Sequence, residues 1–427
     1  MTAIVFNRNE WGRGGDAGGG GGATFPSNTW TALVGDSLTD DGVGVGPFYW
    51  QNGLSGGLLK LALNAGLSGT KVGYWTTAID NAWNATYPGM SGLAAQLGVS
   101  KLGVIVLRIC TNDADGNAIN GTIQGQIDTV LAKALGYADQ VWIMALPPIG
   151  GTEAAYNANV PAYNAYFQGK VAADPSHLKY LDDTQALYSG ANANNALMDT
   201  KGTHPLAAGT RLMGVDGAAL FASLLSGAGF ASPLITDSAH VYPTFPQWMA
   251  NPVNAGTSGT ASGGLSGTVA TGLTINGGGA FAGTCSVVAA DGGDPVTVPW
   301  QRVSITSTTA GSYVSISAAG SGRSITTSDP SRLEQVVQMR LNGLDLDKWT
   351  RLRTWFQGSD LYRLAPDLAL RLGGGGTQTH TLVLRQAKAR PTAAAPASSS
   401  LYLYLEAGVT ASSLTGSFDF RCLTVEG

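Results

Sequence analysis

Between residues 30 and 228, short apolar runs alternate with longer stretches of helical period. Trp30 to Val34, Leu102 to Leu107 and Gln140 to Met144 read as buried strands. Residues 119–135, 157–173 and 206–225 carry helical spacing between and after them. This alternation predicts a parallel sheet wrapped by helices. Gly, Ser and Thr dominate 254–279, which reads as a linker plus the edge of a second unit. From about 280 onward the period drops to two. Val296, Val298 and Trp300, then Val314 and Ile316, Leu382 and Leu384, Leu401, Leu403 and Leu405, and Phe418 and Phe420 alternate with polar neighbours. That is the pattern of an antiparallel β-sandwich. The chain therefore divides into a glycine-rich arm at 1–29, an α/β domain at 30–235, a linker or edge segment at 236–279 and an all-β domain at 280–427.

At 427 residues both domains can bury real cores. Charged residues make up only 12% and glycines number 60, which favours tight turns and β-rich surfaces over long solvated helices. A formal net charge of −4 supplies no long-range attraction for nucleic acid or an anionic membrane. A neutral partner such as a glycan fits better. Cys110, Cys285 and Cys422 are too few and too scattered for a disulfide framework or zinc site, so reduced thiols are expected, with a Cys285–Cys422 pair across the sandwich as the open alternative. The first residues lack the basic and apolar regions of an export signal, and no segment approaches the roughly 20 apolar residues of a membrane span.

The run Trp30 to Val34 ends in Gly35, Asp36, Ser37, Leu38, Thr39 and Asp40. A buried strand breaking into a turn there puts Ser37 at the carboxyl end of the strand, the edge at which open α/β sheets bind ligands. A serine hydroxyl is a poor nucleophile until an imidazole removes its proton. His204 can play that part. Asp36 and Asp113 read as loop-holding side chains, and His177, His240 and His380 as surface or packing residues. Gly53, Ser55 and Gly57 match a nucleophile-elbow spacing formally, but no strand precedes them. No metal-binding pair or phosphate loop appears, so neither cofactor nor metal is expected.

Gly35-Asp36-Ser37-Leu38 resembles the first block of the SGNH (GDSL-type) hydrolases, and the likeness spans about 30 to 228. Ser91-Gly92-Leu93, following residues 84–88, resembles the second block. Cys110-Thr111-Asn112-Asp113 resembles the third, with Cys110 in place of a glycine, and Pro147-Pro148-Ile149 followed by Tyr163-Asn164 resembles the proline turn and helix after it. Thr203-His204-Pro205-Leu206 resembles the last.

The resemblance implies a flavodoxin-like three-layer sandwich and an ester hydrolase. Ser37 would be its nucleophile and His204 its base, with an oxyanion hole made of the Ser37 and Gly92 backbone N–H groups and the Asn112 amide. The family places an acid three residues before the histidine, where this chain has Lys201; Asp199 lies five before. Either Asp199 orients His204 or a main-chain carbonyl does. The second domain is similar to jelly-roll carbohydrate-binding modules and phage tail-fibre tips, which leaves glycan binding and a plain structural role both open.

Two functions follow from the resemblance: an esterase deacetylating a polysaccharide or cell-surface glycan, or a non-catalytic glycan- or receptor-binding phage tail protein. Either would place the chain in a virion or outside the cell after lysis, as a homo-trimer or bound to other virion proteins.

Overall fold

A computed structural model describes residues 26–40, 47–81, 89–150, 154–190, 192–226, 228, 230, 233–234, 251, 253–292, 294, 296–319, 332–357, 368–372, 376–389, 400–407 and 414–426. Most of the glycine-rich arm, residues 84–88 of the second block and His240 lie outside them.

The first half is built from β1 (Trp30–Gly35), α1 (Phe48–Leu54), β2 (Lys60–Gly66), α2 (Val72–Ala78), α3 (Gly89–Leu97), β3 (Leu102–Arg108), α4 (Thr111–Ala114), α5 (Gly121–Tyr137), β4 (Ala138–Met144), α6 (Ala154–Ala173), β5 (Leu178–Leu181), a small hairpin of β6 (Tyr188–Ser189) and β7 (Asn192–Ala193), and α7 (Ala207–Leu225). The five main strands are parallel in the order β2-β1-β3-β4-β5, the flavodoxin-like arrangement, whose switch point lies between β1 and β3.

Every residue of β1 and β3 is buried, as expected of strands covered by helices on both faces. Val104 and Val106 point to the side of α1 and α7, where Phe48, Trp50 and Phe221 pack. Ile105 and Leu107 point to the side of α2, α5 and α6, among Trp75, Ile127 and Phe167. Helix α5 begins where the Asn120 side chain accepts the Thr122 and Ile123 N–H groups, satisfying two donors that a helix start otherwise leaves open.

The second half supplies β8 (Ser258–Ser262), β9 (Leu265–Gly267), β10 (Val269–Gly278), β11 (Ala282–Val288), β12 (Trp300–Ser307), β13 (Tyr313–Ala319), β14 (Arg332–Asp345), β15 (Trp349–Gln357), β16 (Leu368–Arg371), β17 (Thr377–Ala389), β18 (Ser400–Ala407) and β19 (Gly416–Glu426). They form two layers, β17-β14-β19-β12-β11-β9 and β16-β15-β18-β13-β10-β8.

Two features differ from the sequence reading. The stretch 254–279, read as a linker plus the edge of a second unit, carries three strands, β8, β9 and β10. Its scarce apolar side chains, Leu265, Val269, Leu273 and Ile275, are all buried, and two of the three strands sit at sheet edges, where small polar residues suffice. These edges pair in parallel, β8 with β10 and β9 with β11, beside the antiparallel pairing of the strands after residue 280.

Strand β12 also starts later than its alternation suggests, after Pro299. Val296 and Val298 belong to a loop whose carbonyls accept hydrogen bonds from the buried Arg421. The three cysteines are buried and none forms a disulfide.

The two halves join through one parallel bridge, Leu61 to Gln386, so that a single sheet runs from β5 to β9. Charge reinforces the seam. Arg385 donates to the carbonyls of Gly57 (3.1 Å) and Leu58 (2.8 Å) and bonds Glu334, whose other oxygen lies 2.6 Å from Lys60 Nζ. Burial alone would push the Glu334 carboxyl up, but the two cations outweigh it and hold it at about 2.

With the folded value depressed, Glu334 contributes stability that is complete above the ordinary glutamate range and is lost as pH falls toward about 2. Glu334→Gln, which strands two cations at the seam, should lower stability at pH 7 by about 3 kcal/mol. The same change should flatten the loss of stability between pH 5 and pH 2. Urea titrations of both proteins at a series of pH values measure both effects.

Candidate active site

Ser37 lies in the turn that follows β1. Gly35 pairs with Arg108 at the end of β3, and the next N–H, from Asp36, donates to the Arg108 carbonyl at 3.2 Å, so the two strands stay together into the turn. The Asp36 carbonyl then accepts the N–H groups of Thr39 (3.0 Å) and Asp40 (3.1 Å), closing a helical turn around Ser37. Ser37 is 5% exposed. Its hydroxyl nevertheless has a partner: His204 Nε2 is 2.8 Å from Ser37 Oγ.

His204 reaches that position from the segment before α7. Its other ring nitrogen, Nδ1, is 3.2 Å from Asp199 Oδ2. The two residues that separate Asp199 from the expected spacing are taken up by a turn in which Gly202 N–H donates to the Asp199 carbonyl (2.8 Å), and Asp199 N–H donates to the His204 carbonyl (2.8 Å). Asp199 Oδ1 accepts the Thr203 N–H at 2.8 Å, which orients the carboxylate toward the ring.

Burial raises the Asp199 carboxyl, but the bonds from Thr203 and His204 outweigh it and keep it below the ordinary aspartate value. The turn also docks on the rest of the sheet edge, because Gly150 N–H donates to the Gly202 carbonyl at 2.7 Å. Gly202 has φ +74°, and a Cβ there would stand 2.7 Å from the Gly150 carbonyl carbon, so both conformation and space call for glycine.

Asn112 rides on the short helix α4 directly after β3. Its Nδ2 donates to the Thr70 carbonyl at 2.9 Å, which fixes the amide plane and leaves one N–H of the group for another acceptor. Asp113 accepts the Val72 N–H at 2.8 Å, at the start of α2, and so acts as a tether between loops. Cys110, at the position of the expected glycine, adopts the left-handed conformation at φ +80°.

The structure thus draws Ser37, His204 and Asp199 into one hydrogen-bonded line. Asn112 stands at the same sheet edge, and Gly92 lies in the first turn of α3, outside that line. A cavity of about 20 Å³ opens beside the turn, lined by Leu33, Leu38, Thr39, Phe48, Arg108 and Met144 among others.

Sequence reasoning passed over Gly202, Gly150 and Thr70, which hold the named residues in place, and gave Thr203 only as part of the last block. Of these only Gly202 carries a local signal, a glycine two residues before the histidine. Among the described residues no group of three or more His, Cys, Asp or Glu side chains is placed to hold a metal ion, and no helix is long and apolar enough to cross a membrane.

No family model and no curated protein matches this chain. Solved structures match its N-terminal half. One is a lipolytic protein of the G-D-S-L family from Desulfitobacterium hafniense DCB-2, at 19% identity and TM-score 0.34, over 45% of this chain and 99% of that one. Another is an acylhydrolase from Bacteroides fragilis NCTC 9343, at 17% identity and TM-score 0.32, over 48% and 92%. A third is a catalytic mutant of an acetylxylan esterase from Geobacillus stearothermophilus, at 14% identity and TM-score 0.34, over 49% and 99%.

Proposed function

We propose that the chain is a serine ester hydrolase that removes a short acyl group, acetyl, from a polysaccharide or cell-surface glycan. The carrying observation is the line Ser37 Oγ to His204 Nε2 at 2.8 Å and His204 Nδ1 to Asp199 Oδ2 at 3.2 Å. In this reading Ser37 Oγ attacks the ester carbonyl while its proton passes to His204 Nε2, and the bond to the leaving alkoxide breaks as the same proton is returned to it. Water then repeats the sequence on the acyl-enzyme and frees the acid. Asp199 fixes the ring so that Nε2 faces the hydroxyl, and its charge stabilises the imidazolium formed between the two transfers.

The tetrahedral intermediate carries an oxyanion that needs fixed donors. The Ser37 N–H and the free N–H of the Asn112 amide are the candidates at this edge, with Gly92 N–H as a third.

A neutral glycan as the alcohol part is supported by the low charge of the chain and by its second, β-sandwich domain.

Ser37→Ala should abolish p-nitrophenyl acetate hydrolysis and covalent labelling by a fluorophosphonate; hydrolysis equal to that of the unaltered protein would sink the proposal. Asp199→Asn should keep the fold and lower kcat by about 10³-fold or more, since the ring then loses its orienting charge. Across p-nitrophenyl acetate, butyrate and octanoate, kcat/KM should fall at least tenfold from the first to the last. A preference for octanoate would rule out the acetyl assignment and leave the nucleophile untouched.

A further inference from the structure

Asp36 precedes the nucleophile and is wholly buried. Its two carboxylate oxygens serve different segments: Oδ1 accepts the Leu38 N–H at 3.1 Å, within the nucleophile turn, and Oδ2 accepts the Thr111 N–H at 3.1 Å, at the first residue of α4. One side chain therefore ties Ser37's turn to the helix that bears Asn112, across the switch point of the sheet. Two N–H donors converging on one group need two acceptor oxygens. A carboxylate offers them, whereas an asparagine would turn an NH₂ toward one of the donors.

Resting on the esterase reading above, we propose that Asp36 is a positioning residue, whose double acceptance sets the distance between the nucleophile Ser37 and the oxyanion donor Asn112.

The groups facing this carboxylate make the arrangement costly. Arg108, from β3, is the cation among the described residues that acts on it, and that guanidinium already bonds Asp183 at 2.5 Å. Tyr156 from α6 and Cys110 after β3 also face it, and the negative charge helps keep both protonated. Burial pushes the Asp36 carboxyl up to about 6, against the pull of its hydrogen bonds and of Arg108. Protonation near that pH removes one acceptor and loosens the tie, so the acid side of the activity profile should report Asp36.

The test compares the unaltered protein with Asp36→Asn, Asn112→Ala, the double variant and Ser37→Ala on p-nitrophenyl acetate. Asp36→Asn should lower kcat by about 30-fold or more with KM within about threefold. The double variant should lose much less than the product of the two single losses, because Asn112 is already misplaced. Below pH 6 the unaltered enzyme should lose kcat/KM more steeply than Asp36→Asn, which has no carboxylate there to protonate.

An unchanged kcat in Asp36→Asn, or multiplicative losses in the double variant, overturns the proposal. If Asp36→Asn does not fold, Asp36→Glu decides: its longer side chain should lower kcat, and a kcat equal to that of the unaltered protein overturns the proposal. Ser37→Ala separates the two layers: if that variant is as active as the parent, the esterase reading fails first.

Discussion

The pairing of β1 with β3 at their carboxyl ends is the constraint on which the site depends. Neighbouring strands in a flavodoxin-like sheet send their following segments to opposite sides at the switch point, which opens a crevice there. In this chain the crevice is held to a fixed width because the strand pairing does not stop at the last strand residue. Asp36 N–H continues it to the Arg108 carbonyl, and the Asp36 carboxylate spans the gap to Thr111. The Ser37 turn and the Asn112 helix are thus parts of one hydrogen-bonded frame. His204 comes from far along the chain and must be brought to that frame, which the Gly150–Gly202 bond and the Asp199 turn accomplish.

The second domain relates to this frame through the opposite edge of the sheet. β2 meets β17 by a single bridge, and the apolar core on the α1 side continues from Phe48 and Trp50 into Leu382 and Leu384. Trp50 meets His380 edge to face, with ring centroids 5.7 Å apart. A buried Glu334 between Arg385 and Lys60 would cost more than apolar residues of equal volume if stability were all that counted. Its geometry is directional: Arg385 bonds particular carbonyls at Gly57 and Leu58, in the loop before β2.

Much of this was legible in the chain because it depends on local pattern. A fully buried parallel strand leaves an unbroken apolar run, and a glycine with small polar residues after it marks the turn, so the position of Ser37 could be read directly. The partner of His204 could not be read, because the choice between Asp199 and a carbonyl is made by a turn at Gly202 and by the Thr203 N–H, neither of which leaves a periodic trace. Val296 and Val298 mimic a strand but lie in a loop because Arg421, distant in sequence, captures their carbonyls. The segment 254–279 reads only in part as a sheet edge and in part as a linker, because edge strands need few apolar side chains. In each case a contact between remote segments overrode a sound local inference.

Cys110 shows how the frame accommodates a poor local fit. A left-handed backbone costs a non-glycine residue about 1–2 kcal/mol, yet the turn is required, since it lets β3 end and α4 begin within reach of Asp36. The same turn aims the Cys110 carbonyl at the N–H groups of Asp113 (3.1 Å) and Ala114 (2.9 Å), and the side chain is buried in the apolar cluster with Ile109 and Tyr163. Burial, with the nearby carboxylates of Asp113 and Asp36, pushes the thiol well above its usual range, so it stays neutral. A neutral, space-filling sulfur adds no charge beside Asp36 and closes a gap that a glycine would leave. Packing thus offsets strain at a position where conformation alone favours glycine.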